Sequence, residues 1–147
     1  MSDRLEQIEA IKQLKARYCR VIDTADWKLL ASCYTPDTVI DISREEALAT
    51  FREPIRGIGP VVEAMRTALG DGKSLHVTFL PDIELQSEDR ATGIWGLEYY
   101  TWQPPGSPIP ILHGFAYSHD EYHRLGGRWL VHKVRVDLLW SEPARRA

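Results

Sequence analysis

The sequence predicts an α+β domain in which helices pack on one face of a curved antiparallel sheet. Three observations predict it. Apolar residues recur at spacings of three and four only in the first third of the chain, apart from one later segment. From residue 74 onward, long runs rich in β-branched and aromatic residues are separated by short Gly and Pro turns. Helices first and strands afterwards point to segregated layers, not to alternating βα units. At 147 residues the chain makes one domain with room for a sizeable core. That domain is expected to cover residues 1–140, with "SEPARRA" as a flexible tail over 141–147.

Each element has its own signal. Leu5, Ile8, Ile11, Leu14, Tyr18, Val21 and Ile22 form one apolar stripe, a helix. A shorter helix is expected over Asp26 to Cys33, stopping before Pro36. "TPDTVIDI" reads as a strand over Thr38 to Ile42, and "SREEALATFREPIRG" as irregular chain with a short strand at most. "GIGPVVEAMRTALG" is a third helix. Pro60 sits in its first turn, Val61, Val62, Met65 and Leu69 face inward, and Gly70 stops it. "KSLHVTFL" and "DIELQ" are two strand segments on either side of Pro81. "RATGIWGLEYYTWQ" is a long strand ended by "PPGSP", "ILHGFAYSHDEYHR" returns, "LGG" turns, and "RWLVHKVRVDLLW" closes the sheet.

Composition excludes several classes. The net charge of −3, with no basic stripe, gives no reason to expect a nucleic acid partner. No apolar run is long enough to span a bilayer, and Met1 leads directly into the charged run "SDRLEQ", unlike a signal peptide. Two cysteines, Cys19 and Cys33, are too few for a disulfide framework. A cytoplasmic protein with two ordinary thiols is the expectation. "HDEYH" places His119 and His123 four apart, but in a strand four residues span roughly 13 Å, so no metal site is expected. "GIGP" lacks the third glycine and the preceding strand of a phosphate loop and is read as a helix start.

A few polar residues interrupt apolar patterns. Asp23 falls on the flank of the first helical stripe, near Cys19 and Ala16. It faces an internal space, lies against the next helix, or helps to end its own helix while Thr24 or Asp26 caps the next. His76 sits between Leu75 and Val77, where an isolated histidine is more often a core or pocket-rim residue than a catalyst. Arg135, mid-strand among apolar residues, needs an anionic partner if buried, and Asp41 between Ile40 and Ile42 is a similar anomaly. Trp95, Tyr99, Tyr100, Trp102, Phe115, Tyr117 and Trp129 crowd the expected sheet. Most of them fit a core, and their number also suits a concave pocket for a flat, greasy ligand, with Trp95, Trp102 and Trp129 on its strands.

The order of elements and "IEAIKQLKARYCRVIDTADWKLLASCYTPDTVID" resemble the SnoaL-like group of the nuclear transport factor 2-like superfamily. The likeness continues through "SLHVTFLPDIEL", "RATGIWGLEYY", "HGFAYSHDEYHRLGGRWLVHKVRV" and Trp140. The resemblance implies a cone-shaped α+β barrel, a strongly curved antiparallel sheet wrapped by long helices around a deep pocket. Within the group the chain is similar to the bile-acid dehydratases, scytalone dehydratase and the hexachlorocyclohexane dehydrochlorinases. These eliminate a small leaving group from a hydrophobic substrate without a cofactor.

Residue by residue, the resemblance makes His76 and Asp23 a catalytic dyad, with Tyr18 and Arg135 as pocket residues. Tyr99 stands where the bile-acid enzymes carry a second acid, and Ile42 where related enzymes carry a tyrosine. Thr101 lies near the place of a second histidine, and Asp120 near that of a pocket asparagine. With Trp95, these complete the expected substrate-binding set. The implied function is a cofactor-independent lyase acting on a small hydrophobic, cyclic or aromatic substrate. A neutral imidazole would take a proton from carbon while the carboxylate orients the ring. Two alternatives stand beside it: an isomerase that shifts a double bond by the same proton abstraction, and a non-catalytic binding module. A homo-oligomer is expected, a trimer before a dimer, with no nucleic acid and no membrane partner.

Overall fold

The computed structural model describes residues 3–45 and 51–144. Helix α1 spans Arg4–Asp23 and is capped by Asp3, whose carboxylate accepts from the Leu5 N–H at 3.3 Å. Its inward stripe of Ile11, Leu14, Tyr18, Val21 and Ile22 also carries Lys15 and Cys19. Helix α2 is a short turn of helix, Trp27–Ala31, capped by Asp26 through the Leu29 N–H at 3.1 Å. It ends earlier than the sequence suggests because Ser32 and Cys33 turn back, the Cys33 N–H donating to Leu30 O. Helix α3, Ile58–Leu69, buries Val61 and Leu69 and stops at Gly70, whose φ of 52° favours glycine.

Six strands follow the order β2-β1-β6-β5-β4-β3: β1 Tyr34–Asp41, β2 Ile55–Arg56, β3 Lys73–Leu85, β4 Arg90–Trp102, β5 Ile111–Leu125 and β6 Arg128–Ala144. The α+β class stands, with two corrections to the expected sheet. It is mixed, because β1 runs parallel to β6, with Ile40 opposite Val134. It is also open and not a closed barrel, since β2 and β3 remain as edges. Strand period is the same in either direction, so alternation along the chain cannot tell a parallel neighbour from an antiparallel one.

The two segments expected around Pro81 are one strand. Its register against β4 shifts between Phe79 and Asp82, and Leu80 there has a φ of 46°. Pro81 is tolerated because β3 is an edge and because the bulge removes the need for its N–H. The β5–β6 hairpin closes on Gly126 and Gly127, with φ of 56° and 77°, as a two-residue turn matched to strand twist requires. β6 runs past its expected end. Ser141, Glu142, Pro143 and Ala144 pair with Gly114, His113, Leu112 and Ile111, so the first part of the expected tail belongs to the sheet. Residues 46–50 of the irregular segment lie outside the described residues; the short strand expected in it is β2.

The main core lies between the helices and the sheet, where Ile11, Leu14, Leu30 and Val61 meet Ile40, Trp95, Tyr122 and Val131. A smaller cluster of Leu97, Tyr99, Leu112 and Ala116 lies toward the other end. Each fully buried aliphatic side chain there contributes about 1.5–3 kcal/mol. Between the two clusters lies a cavity. Among the described residues no helix is long and apolar enough to cross a membrane.

Candidate active site

One helical line builds the first wall of the cavity. Lys15, Tyr18, Cys19 and Ile22 follow at spacings of three, one and three, so they share a face of α1 and line the space. The opposite walls come from His76 and Ser74 of β3, Leu97, Tyr99 and Thr101 of β4, Ser118 of β5 and Val134 and Val136 of β6. The cavity measures about 140 Å³, close to the roughly 150 Å³ apolar space that holds a benzene ring. Its lining is mostly apolar with a few convergent polar groups, the usual composition of a small-molecule site.

Asp23 is the last residue of α1, yet its carboxylate does not cap anything. Thr24 turns its hydroxyl back to Arg20 O at 2.9 Å and Asp26 caps α2, which frees Asp23 to reach β3. There Oδ1 meets His76 Nδ1 at 2.6 Å, Oδ2 accepts the His76 backbone N–H at 2.9 Å, and the Ser74 hydroxyl donates to Oδ1 at 2.8 Å. β3 is an edge strand, so this N–H points away from β4 and would otherwise go without a ladder partner. The carboxylate therefore holds His76 by ring and main chain together. With Nδ1 bound to Asp23, the Nε2 lone pair is the one the imidazole can offer to the cavity it lines.

Three further residues of the expected set line the space. Tyr18 stands edge-to-face with Tyr34 at 5.7 Å, and burial lifts its phenol well above the usual range, so it stays a proton donor. Tyr99 lies beside His76, ring centroids 6.4 Å apart, and Thr101 is two residues farther along β4. Cys19 also faces the cavity, but burial pushes its thiol up to about 11, the wrong direction for a nucleophile.

Three expected substrate-binding residues do not line the cavity. Arg135 projects from the opposite face of the sheet, where Nε and Nη2 bond both oxygens of Asp137 at 3.1 and 3.0 Å. The cause is a bulge: Val131 pairs with Tyr122 and Lys133 with Glu121, leaving His132 extra. From that point to a second bulge at Leu139, each residue of β6 faces the side opposite to the one plain alternation assigns. Trp95 is buried in the core, donating its Nε1–H to the Tyr122 hydroxyl at 3.0 Å. Asp120 is 2% exposed and lies behind the wall. Nor do the other two tryptophans expected on pocket strands line it. Trp129 is buried and donates to Gln7, and Trp102 stacks on Tyr100.

Two residues went unnoticed in the sequence. Lys15 is 2% exposed, donating to Asp120 Oδ2 at 2.7 Å and Ser118 Oγ at 3.2 Å. Asp120 also accepts from Ser118 at 2.7 Å and from Tyr122 at 2.6 Å, which closes a buried polar network at the cavity floor. A signal for it existed. Lys15 breaks the apolar line of α1, and Asp120 breaks the inward line Leu112, Ala116, Tyr122 of β5. Glu45, 5% exposed, accepts from the Tyr99 hydroxyl and from Ser141 Oγ at 3.2 Å. Nothing in "SREEAL" marks it. The histidines of "HDEYH" are engaged separately. His119 pairs with Asp137 at 3.1 Å and His123 stacks on His132 at 3.7 Å.

This fold and this lining define a class, small open-sheet α+β domains with a mostly apolar site between helix and sheet. The chain belongs to the SnoaL-like domain family, which it matches over residues 3–135. Solved structures share the fold. The Kfla4162 protein of Kribbella flavida superposes with a TM-score of 0.83 at 19% identity, covering 95% of both chains. A type 3 hexachlorocyclohexane dehydrochlorinase of Novosphingobium barchaimii gives 0.80 at 18% identity, covering 96% of this chain and 92% of that one. A candidate scytalone dehydratase of Novosphingobium aromaticivorans gives 0.78 at 14%, covering 97% and 91%. At such identities the likeness concerns the fold.

Proposed function

We propose that the protein is a cofactor-independent lyase that removes water, or a comparable small leaving group, from a small ring compound. The observation that carries this reading is the double hold of Asp23 on His76 beside an apolar cavity of single-ring size. A carboxylate fixed to Nδ1 keeps the tautomer that bears the Nε2 lone pair and stabilises the imidazolium after proton transfer. His76 takes a proton from carbon, the C–H pair becomes the new double bond, and the C–O bond breaks. The imidazolium then returns its proton to the departing hydroxide, so water leaves and the dyad is restored. Tyr18 and Thr101 position the substrate. Cytoplasmic location and absence of nucleic acid or membrane partners belong to the same reading.

We also propose that it works as a homo-oligomer, a trimer before a dimer. The outer sheet face supports this. Leu75, Val77, Phe79, Tyr117 and Trp140 are each at least 40% exposed there, a broad apolar surface for a chain of this size.

The test is turnover of ring alcohols in deuterated water, followed by mass. A lyase yields a product lighter by one water. A double-bond isomerase would give a product of unchanged mass, apart from exchanged deuterium, and a binding module would give neither. His76→Ala and Asp23→Asn should each lower turnover by roughly 10²- to 10⁴-fold. The double variant should fall little below the worse single one, because the pair acts as a unit. Independent, multiplicative losses would refute the dyad.

A further inference from the structure

Three strands meet in register beneath one carboxylate. Tyr99 of β4 faces Gly114 of β5, which faces Ser141 of β6. A Cβ on Gly114 would fall 2.4 Å from the Tyr99 Cζ and hydroxyl oxygen, so the phenol lies across β5 only because position 114 has no side chain. Laid over that gap, the Tyr99 hydroxyl donates to Glu45 Oε2 while Ser141 donates to Oε1 at 3.2 Å. Ser141 faces inward through a second bulge, where Leu138 pairs with Ala116, Trp140 with Phe115, and Leu139 is extra. Glu45 and Tyr99 both line the cavity that His76 lines.

A phenol has one proton and two lone pairs. With that proton given to Glu45, the Tyr99 oxygen has only lone pairs left for the cavity. We propose that Glu45 is a positioning residue and Tyr99 a specificity-determining residue. Together they turn the wall beside His76 into a hydrogen-bond acceptor, which selects ring compounds carrying a hydroxyl there over ethers of the same shape. An acceptor cannot protonate a leaving group, so the selected hydroxyl is a recognition group distinct from the departing one. The substrate class narrows to small rings bearing at least two oxygens, one of them a free hydroxyl. This deepens the lyase reading and rests on the same cavity being the substrate site.

The test is equilibrium binding of phenol and of anisole, by calorimetry or ligand-observed NMR, to the unmodified protein and two variants. The unmodified protein should prefer phenol roughly tenfold, the worth of one hydrogen bond. Tyr99→Phe should weaken phenol alone and bring the ratio near one. Glu45→Ala should free the Tyr99 proton as a donor, strengthen anisole and shrink the ratio. A general loss of packing would weaken both ligands alike and leave the ratio untouched. That result in Glu45→Ala would overturn the proposal, as would an unmodified ratio near one or no phenol binding at millimolar concentration. Should Glu45→Ala fail to fold, Tyr99→Phe decides alone. The ratio needs no turnover, so a protein that discriminates but eliminates nothing sinks the lyase reading only.

Discussion

The two faces of the sheet handle polar groups in opposite ways. On the inner face three sets of charged and hydroxylic side chains bond to one another: Asp23 with His76 and Ser74, Lys15 with Asp120 and Ser118, Glu45 with Tyr99 and Ser141. On the outer face the charges are half exposed and share partners. The Asp137 carboxylate, for example, takes Arg44, Arg135 and His119 together. Between those charges lie stacked rings, Trp102 on Tyr100, Tyr100 on His113 and Phe115 on Trp140. Burial explains the contrast. A polar group taken out of water is costly unless fully bonded, so inner groups come in closed sets, while water relaxes that demand outside. A closed set is also what holds a catalytic side chain in one geometry.

The sharpest way to break the inner arrangement is to remove one member of a closed set. Lys15→Met should destabilise the fold by about 3–5 kcal/mol, because it leaves the Asp120 carboxylate buried without its cation. Adding Asp120→Leu should recover most of that loss, since replacing both partners with apolar groups removes the unpaired charge. Denaturant unfolding of the single and double variants measures this. A double variant as weak as the sum of the singles would mean that the network is worth more than its ion pair.

The same contrast explains what could be read without the structure. The helices were legible because burial on one side imposes a 3.6-residue period, and α1 follows it from Ile8 to Ile22. Strand positions were legible for the corresponding reason. Their faces were not, because each bulge in β6 flips every later residue, and no local signal marked His132 or Leu139 as extra. The resemblance implies a pocket role for Arg135, and the first of these bulges turns its side chain to the other face. Asp23 was ambiguous by periodicity and intelligible only through resemblance. Glu45 was illegible either way, because its partner Tyr99 is 54 residues distant and nothing local distinguishes it from a solvated acid.

A smaller effect sharpens the comparison from the other side. Tyr117 is 45% exposed on the outer face and makes no part of the cavity. If that face meets further copies of the chain, Tyr117→Lys should shift the assembly toward monomer, while ligand binding in the cavity changes less than about twofold. An introduced charge at the buried centre of an interface is strongly unfavourable, whereas on a solvated surface it costs little. Light scattering at micromolar concentration reads the outcome. A monomeric unmodified protein would end the proposal.

The smallest effect comes from His123, an outer-face histidine on the edge of both regimes. Its ring stacks on His132 at 3.7 Å and 16°, and His132 in turn approaches Thr35 and Asp37. Partial burial, then the neighbouring His132 and Arg90, lower its pKa, while Asp37 and Glu121 act the other way. Folding therefore favours the neutral ring. That contribution is complete above the ordinary imidazole value of about 6.5 and is lost as pH falls through it toward the lower folded value. His123→Phe keeps a flat ring against His132 and removes the proton. Its melting temperature should fall less than that of the unmodified protein between pH 7.5 and 5.5, by a margin of about 1–2 °C. Parallel curves would mean that water screens this pair as fully as it does the exposed ions around Asp137, and that the relaxed chemistry of the outer face extends to its stacked rings.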